Sequence, residues 1–189
     1  MEGTALTRKK QRLDVLLVAK GIVETRSRAQ LLIKEGHVRI NGNICTKSRT
    51  LVQEKTLIEV DKNAIPHVSR GGVKLDYALK VFKIHAADRV CIDIGASTGG
   101  FTDCLLKHGA KFVYAIDVGH SQLHSSLRND PRVSYLEGID IRNFSLPEDK
   151  VVDLICIDVS FISLTLVLPV VKRFLSPHGE VIKLNLNLR

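Results

Sequence analysis

A glycine-rich turn between a short apolar run and a helical pattern is the feature that most constrains this sequence. The apolar run is Val90–Ile94, the turn lies in the segment DIGASTGGFTD of residues 93–103, and the helical pattern covers about 100–108. The glycines allow a sharp bend and a close backbone approach to a ligand. A strand, a glycine turn and a helix in this order are typical of nucleotide-binding α/β sheets.

Apolar runs and helical patterns alternate through the rest of the C-terminal part. A further helix is expected near 164–174, broken or bent at Pro169. The predicted later strands are 112–116, 133–136, 151–157 and 181–184. This alternation favours a parallel sheet with helices on both faces, so we expect an α/β fold with a Rossmann-like sheet.

The residues around the turn favour one ligand over another. A dinucleotide site would place a glycine against the pyrophosphate, and Ser97 stands there instead. The carboxylate of Asp93 would repel a pyrophosphate but suits the cationic amino-acid end of S-adenosylmethionine. Asp117 ends the second strand, where an acid suits the hydroxyls of a ribose. We therefore expect S-adenosylmethionine rather than NAD, with a purely structural glycine turn as the alternative.

The candidate cofactor residues follow from these positions. Asp140, after the third strand, is a candidate for the adenine amino group and equally a solvated loop acid. The full candidate set is Asp93, Gly95, Ser97, Gly99, Gly100, Phe101, Asp117 and Asp140.

The N-terminal part predicts two helices and a small sheet. Leu13, Leu16 and Leu17 have helical spacing, and Gly21 follows as a stop. A second helix is expected from a Thr25 cap to about residue 35, ended by Gly36. The segment 38–44 predicts a hairpin around Asn41-Gly42, and 56–60 a further strand.

Residues 61–72 contain Pro66 and Gly71-Gly72 and little apolar pattern, which indicates a linker. A helix over about 72–83 should bury Leu75, Leu79 and Phe82. The expected domains are 1–62, a linker at 63–72, and 73–189.

The positive charge is uneven. The net charge is +8, and residues 1–63 hold 13 basic and 7 acidic side chains, a net +6, against 15 and 13, a net +2, in 64–189. Such a field attracts polyanions, nucleic acid above all, with an anionic membrane surface as the competing partner.

The four cysteines are widely spaced without a C-x-x-C pair, which argues for reduced core thiols in a cytoplasmic protein. His120 and His124 have metal-ligand spacing but no third ligand nearby, so no metal is expected. No apolar run has the length of a signal peptide or a membrane span.

With these motifs placed, the chain resembles the TlyA family of RNA 2′-O-methyltransferases, which have an FtsJ-type catalytic domain and also carry the name haemolysin. The resemblance runs from about Arg12 to Lys183 and is carried by RLDVLLV, SRAQLLIKEGHVRING, SRGGVKL, DIGASTGGFTDCLL, AIDVGHSQL and DVSFISL. It implies an α+β RNA-binding module of alpha-L type before the methyltransferase sheet. It also implies a ribosomal RNA substrate, methylated at cytidine ribose hydroxyls.

The resemblance also implies roles for individual residues. Lys74, Asp158 and Lys183 fall on three members of a Lys-Asp-Lys-Glu catalytic set, with Lys183 as the base. Each basic residue of the module alone is a generic surface charge, but together they favour phosphate contact. The candidate RNA contacts are Arg12, Arg26, Arg28, Lys34, Arg39 and Arg70.

The fourth catalytic residue, a glutamate, is expected in a Lys-Pro-Gln-Phe-Glu segment, but Lys183 is followed by LNLNLR. Deleting one C from codons for Lys-Pro-Gln-Phe-Glu-Leu-Lys reproduces this tail, so we expect a frameshift. The sheet would then be incomplete after its fifth strand, with an exposed edge and weak or absent catalysis. The expected function is ribosomal RNA methylation, with cofactor and RNA binding without catalysis as the alternative and a cytolysin as a remote one.

Overall fold

The computed structural model describes residues 10–62, 64, 66–147, 150–159 and 163–184. The chain divides into two compact units, Met1–Pro66 and His67–Arg189. Their boundary falls inside the segment expected to be a linker. Among the described residues, no helix has both the length and the apolar character needed to cross a membrane.

The first unit packs two helices on short antiparallel strands. One sheet pairs β1 with β4, and the other has the order β3-β2-β5. The elements are β1 (Lys10–Arg12), α1 (Leu13–Ala19), α2 (Arg26–Lys34), β2 (Val38–Ile40), β3 (Asn43–Ile44), β4 (Leu51–Gln53) and β5 (Ile58–Val60).

Short sequence patterns predict the helices and the hairpin of this unit. Leu13, Leu16 and Leu17 are almost fully buried, as their helical spacing predicts. The Thr25 hydroxyl accepts a hydrogen bond from the Arg28 backbone N–H at 3.2 Å, which caps α2 as expected. The predicted hairpin is confirmed, since β2 and β3 pair across residues 41 and 42, both with positive φ.

Two strands of the first unit were not predicted. β1 and β4 each contain three residues and pair antiparallel, with Gln11 opposite Val52. Neither strand is long enough to show an alternating pattern, and only their pairing across the fold defines them.

The second unit contains a five-stranded sheet in the order β10-β9-β6-β7-β8, in which all neighbours pair in parallel. The α/β fold is therefore confirmed. The elements are α3 (Arg70–Phe82), β6 (Val90–Ile94), α4 (Gly100–Lys107), β7 (Phe112–Asp117), α5 (Ser125–Arg128), β8 (Val133–Glu137), β9 (Val152–Ile157), α6 (Leu164–Lys172) and β10 (Leu175–Lys183).

Helices cover both faces of this sheet. Leu75 and Leu79 of α3 share one apolar cluster with Leu105 of α4, and Val167 and Val171 of α6 belong to a cluster on the other face. The chain passes from β6 outward to β8 and then returns to β9 on the other side of β6. The crevice between the carboxyl ends of β6 and β9 is therefore the switch point at which such sheets bind ligands.

Several boundaries differ from those expected. α3 begins at Arg70, so part of the expected linker is helical. Phe82 was expected in the core but is 64% exposed at the last position of α3. β10 begins at Leu175 rather than 181, with an irregular register before Glu180. The tail after Leu184, including the expected frameshift, lies outside the described residues.

Glycines allow α3 and α4 to approach closely. A Cβ built on Gly72 would lie 2.8 Å from the carbonyl oxygen of Gly100 and would overlap the His67 side chain. A Cβ on Gly100 would lie 2.8 Å from the Gly72 nitrogen and would overlap the Ser69 side chain. The contact therefore requires glycine on both helices.

This contact predicts the effect of two neighbouring substitutions. Gly72→Ala should lower the free energy of unfolding by about 1–3 kcal/mol through overpacking. Gly71→Ala is the matched control, because its Cβ would come no closer than 3.4 Å to other atoms. Urea denaturation of both variants checks this. Equal stabilities for the two variants would contradict the proposed close contact.

Candidate functional site

A cavity of about 160 Å³ lies at the switch point of the sheet. The loop after β6, the first residue after β9 and the first turn of α3 meet there. Its lining residues are Ser69, Gly71, Lys74, Asp93, Gly95, Ala96, Ser97, Thr98, Gly100, Phe101 and Asp158. The position agrees with the one expected for a ligand of an open α/β sheet.

Backbone geometry explains the glycines of the loop. Gly95 and Gly99 have φ values of 83° and 91°, which side-chain-bearing residues rarely adopt. A Cβ on Gly95 would lie 2.6 Å from the carbonyl oxygen of Asp158. The loop can therefore lie directly against the end of β9 only with glycine at this position.

Asp93 is the most deeply buried acid of the cavity, with 1% of its surface exposed. Its Oδ2 accepts hydrogen bonds from the Thr102 backbone N–H at 2.9 Å and from the Thr102 hydroxyl at 2.7 Å. Its Oδ1 is buried without a hydrogen-bond partner among the described residues. Burial raises the pKa of Asp93 to about 7 against the effect of Thr102, and Asp158 and Asp117 raise it further.

A buried carboxylate oxygen without a partner is costly, and it suits a ligand that brings a cation or a hydrogen-bond donor. The glycine loop beside it leaves room for a close backbone approach. These two observations fit the amino-acid end of S-adenosylmethionine.

Asp117 is held firmly by backbone donors. Its Oδ2 accepts from the Ser97 N–H at 2.8 Å, and its Oδ1 accepts from the Gly119 N–H at 2.7 Å. Ser97 itself has a φ of 47°. Each carboxylate oxygen has a second lone pair, so the carboxylate can accept further hydrogen bonds from a fixed position.

Asp140 lies after β8 and caps a short 3-10 helix through the Arg142 backbone N–H at 2.9 Å. The Arg142 guanidinium also binds both carboxylate oxygens, and it lowers the pKa of Asp140. Asp140 does not line the cavity around Asp93. The structure therefore gives this acid a local structural partner.

Lys74 and Asp158 lie together in the cavity, as the expected catalytic set requires. Burial raises the pKa of Asp158, and the nearby Lys74 ammonium acts in the opposite direction. Lys74 is half-buried in the first part of α3, and Asp158 is the first residue after β9.

Lys183 is not brought to the same cavity. It is the last residue of β10, is exposed, and is paired in register with Ile157. Its neighbour Ile182 faces the cluster that contains α3, so alternation turns Lys183 to the opposite face of the sheet.

Sequence reasoning missed a buried group that fixes the start of α3. The Asp103 carboxylate accepts a hydrogen bond from the Val68 N–H at 3.1 Å and lies 3.2 Å from the His67 Nδ1. Lys107 also binds it at 2.7 Å. The Gly71-Gly72 pair was the available sequence signal for a close contact at the start of α3, because a glycine pair can mark a close helix contact as well as a turn.

The histidine pair considered for a metal has other partners. His120 lies 3.8 Å from Glu137, while the His124 ring caps α5 through the Ser126 backbone N–H. In the described parts of the chain, one group has ligand atoms within 4.8 Å of one another, formed by His67, Asp76 and Cys104.

That group already has internal partners. The Asp76 carboxylate binds Lys80 at 2.6 Å and His108 at 2.7 Å. Burial raises the pKa of the Cys104 thiol to about 12, so the thiol is neutral. The group therefore has an ion-paired carboxylate and a protonated thiol.

Two expected RNA contacts have a structural partner. Arg12 donates to the buried Asp14 carboxylate at 2.9 and 2.8 Å, and Arg26 donates to it at 3.2 Å. The Gln30 amide donates at 2.7 Å. The Arg12 guanidinium, above all, holds the pKa of Asp14 well below its usual range. The Arg12 and Arg26 side chains remain 36% and 55% exposed, so they also present charge to solvent.

Of the other expected RNA contacts, Arg28 is partly buried, whereas Lys34, Arg39 and Arg70 are exposed to solvent. Arg28 donates to the Lys62 carbonyl at 3.0 Å, and Arg39 donates to a carbonyl in the β2–β3 turn at 3.2 Å. Lys34 is exposed in the last turn of α2. Arg70 belongs to the second unit, where it is exposed at the start of α3.

The parallel sheet and the acidic glycine loop at its switch point define the second unit as a methyltransferase-type α/β unit. Residues 67–188 match the FtsJ-like methyltransferase model, and residues 11–58 match the S4 domain model. The chain belongs to the FtsJ-like methyltransferase family.

Curated relatives agree with this assignment. The chain is 45% identical to Bacillus subtilis YqxC, covering 95% of this chain and 64% of that protein. It is 45% identical to the Mycobacterium tuberculosis 16S/23S rRNA (cytidine-2′-O)-methyltransferase TlyA, covering 93% and 66%. It is 46% identical to hemolysin A of Brachyspira hyodysenteriae, covering 87% and 69%. The chain thus spans about two thirds of the length of these relatives.

A solved structure shares both the fold and the sequence. A Streptococcus thermophilus protein described as a hemolysin has a TM-score of 0.64 and 41% identity, covering 94% of this chain and 66% of that one. The resemblance to the TlyA family, stated above from the motifs, is therefore confirmed.

The pKa of Asp93 predicts how stability depends on pH. Between about pH 4, where an unfolded aspartate titrates, and about 7, the folded chain keeps a proton on Asp93 that the unfolded chain loses. Stability should therefore fall as the pH rises through this window, by about 1.4 kcal/mol per unit of pKa shift, and then level off.

Asp93→Asn should remove this dependence and gain stability relative to the wild type at pH 8 but not at pH 4. Thermal unfolding at a series of pH values measures it, with the exposed Asp88→Asn as the control. Parallel pH profiles for wild type and Asp93→Asn would show that folding does not raise the pKa of Asp93.

Proposed function

We propose that this chain is an S-adenosylmethionine-dependent methyltransferase that acts on ribose 2′-hydroxyls of ribosomal RNA, at cytidines. The observation that carries the proposal is the cavity in which Lys74, Asp93 and Asp158 meet beside the glycine loop. Family membership and the name of the Mycobacterium tuberculosis relative support the reaction type and the substrate. A ribosomal RNA substrate implies a cytoplasmic site of action.

The proposed cofactor residues would contact different parts of the cofactor. Asp93 would bind the ammonium through its Oδ1, while Gly95 and Gly99 let the loop backbone approach. Asp117 would accept from the ribose hydroxyls, held in place by its two backbone donors. Ser97, Gly100 and Phe101 complete the proposed set, with Asp140 as the candidate for the adenine. When bound, the cofactor supplies a methyl group on a sulfonium, which is already activated for transfer.

The remaining polar residues would act on the substrate hydroxyl. A ribose hydroxyl is a poor nucleophile and must lose its proton as it attacks. Lys74 and Asp158 would hold the hydroxyl in line and balance charge in the cavity, where positioning supplies much of the rate. A lysine can accept the proton only when it is neutral, which burial and a second cation favour. Lys183 is still the proposed base from the family resemblance, but its exposed position outside the cavity does not provide that environment.

The basic first unit would supply RNA affinity. Arg12, Arg26, Arg28, Lys34 and Arg39 all lie in this unit, within or next to the segment that matches the S4 domain. Arg70 would contribute from the second unit. Contacts of this kind position a phosphate backbone without reading its sequence.

One observation favours a second candidate function, binding of RNA and cofactor without catalysis. Lys183 is exposed and does not line the cavity of Lys74 and Asp158. Retained binding with no methyl transfer to ribosomal subunits or free ribosomal RNA would identify this function.

One test of the proposed function concerns cofactor binding. Asp93→Asn should weaken S-adenosylmethionine binding about 10- to 100-fold, because a hydrogen bond to a charged group contributes about 1.5–3 kcal/mol. Isothermal titration calorimetry measures the affinity. The matched control is Asp88→Asn, an exposed acid before β6 that removes the same charge. Equal affinities for both variants would remove Asp93 from the cofactor site.

Another test of the proposed function concerns the methyl-transfer reaction. Lys74→Ala should lower labelled methyl transfer to ribosomal subunits about 100-fold, because a small misplacement of the reacting hydroxyl can cost about that factor in rate. RNA affinity should change far less, because the first unit carries most of the charge. Lys172→Ala, at the exposed end of α6, is the control. Undiminished transfer by Lys74→Ala would contradict its proposed role.

A further inference from the structure

The outer face of α3 is apolar where a solvent-facing helix is usually polar. Leu75, Ala78 and Leu79 pack into the core, yet three side chains on the opposite face are largely exposed. These are Val73 at 46%, Tyr77 at 69% and Val81 at 53%. Their spacing of four residues places them in one row along the helix, which we call the α3 outer row.

Basic residues border the α3 outer row. Arg70 and Lys80 are exposed, and Lys74 is half-buried. The one acid of the helix, Asp76, is bound to Lys80 and His108. An aromatic ring among basic side chains fits an anionic partner with flat apolar groups, and single-stranded nucleic acid has both.

The α3 outer row is continuous with the cavity. Lys74 lines the cavity, and Tyr77 follows it by three residues. Side chains with this spacing are neighbours on a helix surface, with Cβ atoms about 5–6 Å apart. A nucleotide next to one whose ribose lies at Lys74 is therefore within reach of the Tyr77 ring.

We propose that the α3 outer row binds the unpaired nucleotides that flank the target, with a base stacked on the Tyr77 ring. Arg70 and Lys80 contact the adjoining phosphates. The inference rests on the proposed function, because it takes the ribose at Lys74 as its starting point. The bases must be unpaired, since a base inside a duplex offers no free face to an aromatic ring.

The composition provides a direct probe of this contact. The chain contains no tryptophan, so Tyr77→Trp introduces a single indole whose fluorescence a stacked base quenches. The matched control is Leu166→Trp, a 52% exposed position on α6, which packs on the other face of the sheet. The probe is a single-stranded cytidine hexamer RNA, and the same hexamer in a duplex is the comparison.

The expected result is saturable quenching of Tyr77→Trp by the single strand, with weak quenching by the duplex and none in Leu166→Trp. Fluorescence anisotropy of labelled hexamer should show about tenfold weaker binding by Tyr77→Ala and near wild-type binding by Tyr77→Phe, because stacking needs the ring and not its hydroxyl. Circular dichroism confirms that each variant is folded.

The outcomes separate the two proposals. RNA binding without Tyr77→Trp quenching, or with equal affinity for wild type and Tyr77→Ala, overturns the α3 contact and leaves the proposed function standing. Equal quenching in both tryptophan variants shows non-specific contact and also overturns it. Failure of the wild type to bind any RNA overturns both proposals.

Discussion

The close contact between α3 and α4 determines the geometry of the candidate site. Gly72 and Gly100 approach so closely that neither helix can carry a Cβ at that point. Asp103 reinforces the contact by binding the backbone of Val68 just before α3. Because α4 begins directly after the glycine loop, this contact sets the first turn of α3, and Lys74 with it, beside that loop. Two residues without side chains thus position a residue proposed to act in the chemistry.

The second constraint is the buried carboxyl group of Asp93. Its Oδ2 is satisfied by Thr102, but its Oδ1 has no partner in the described part of the chain, and burial raises its pKa to about 7. A core selected only for stability would replace such a group with an apolar one. The unit instead keeps an acid whose unfavourable burial a cationic ligand would offset. If Asp93 binds the cofactor as proposed, cofactor binding and folding stability are coupled at this residue.

The sequence predicted the features that local patterns encode. The strand before the glycine turn, the Thr25 cap and the Asn41-Gly42 hairpin follow from residues within a few positions of one another. The cavity also lies where sheet topology places it, so Asp93 and Asp158 could be placed together from strand ends alone.

The features that were missed depend on contacts between distant segments. β1 and β4 exist only as a pair, and Asp103 binds His67 and Val68, which lie 35 or more positions before it in the chain. The exposure of Lys183 becomes evident only in the assembled sheet, where Ile182 and Leu184 on either side of it are buried. Sequence patterns predict which side of a helix or strand is buried and where a helix is capped. Strand pairing and strand register are seen only in the assembled sheet.

The buried Asp14 links the stability of the first unit to its proposed RNA recognition. Arg12 and Arg26 both bind its carboxylate, and both keep part of their surface in solvent. A positive field that attracts RNA would normally destabilise a small domain through repulsion between its own charges. Here a buried carboxylate holds two of those cations at fixed positions, so their mutual repulsion is offset and their outward surfaces stay in place. In the proposed RNA complex, these two arginines are therefore preorganised to meet a phosphate, because less side-chain freedom is lost on binding.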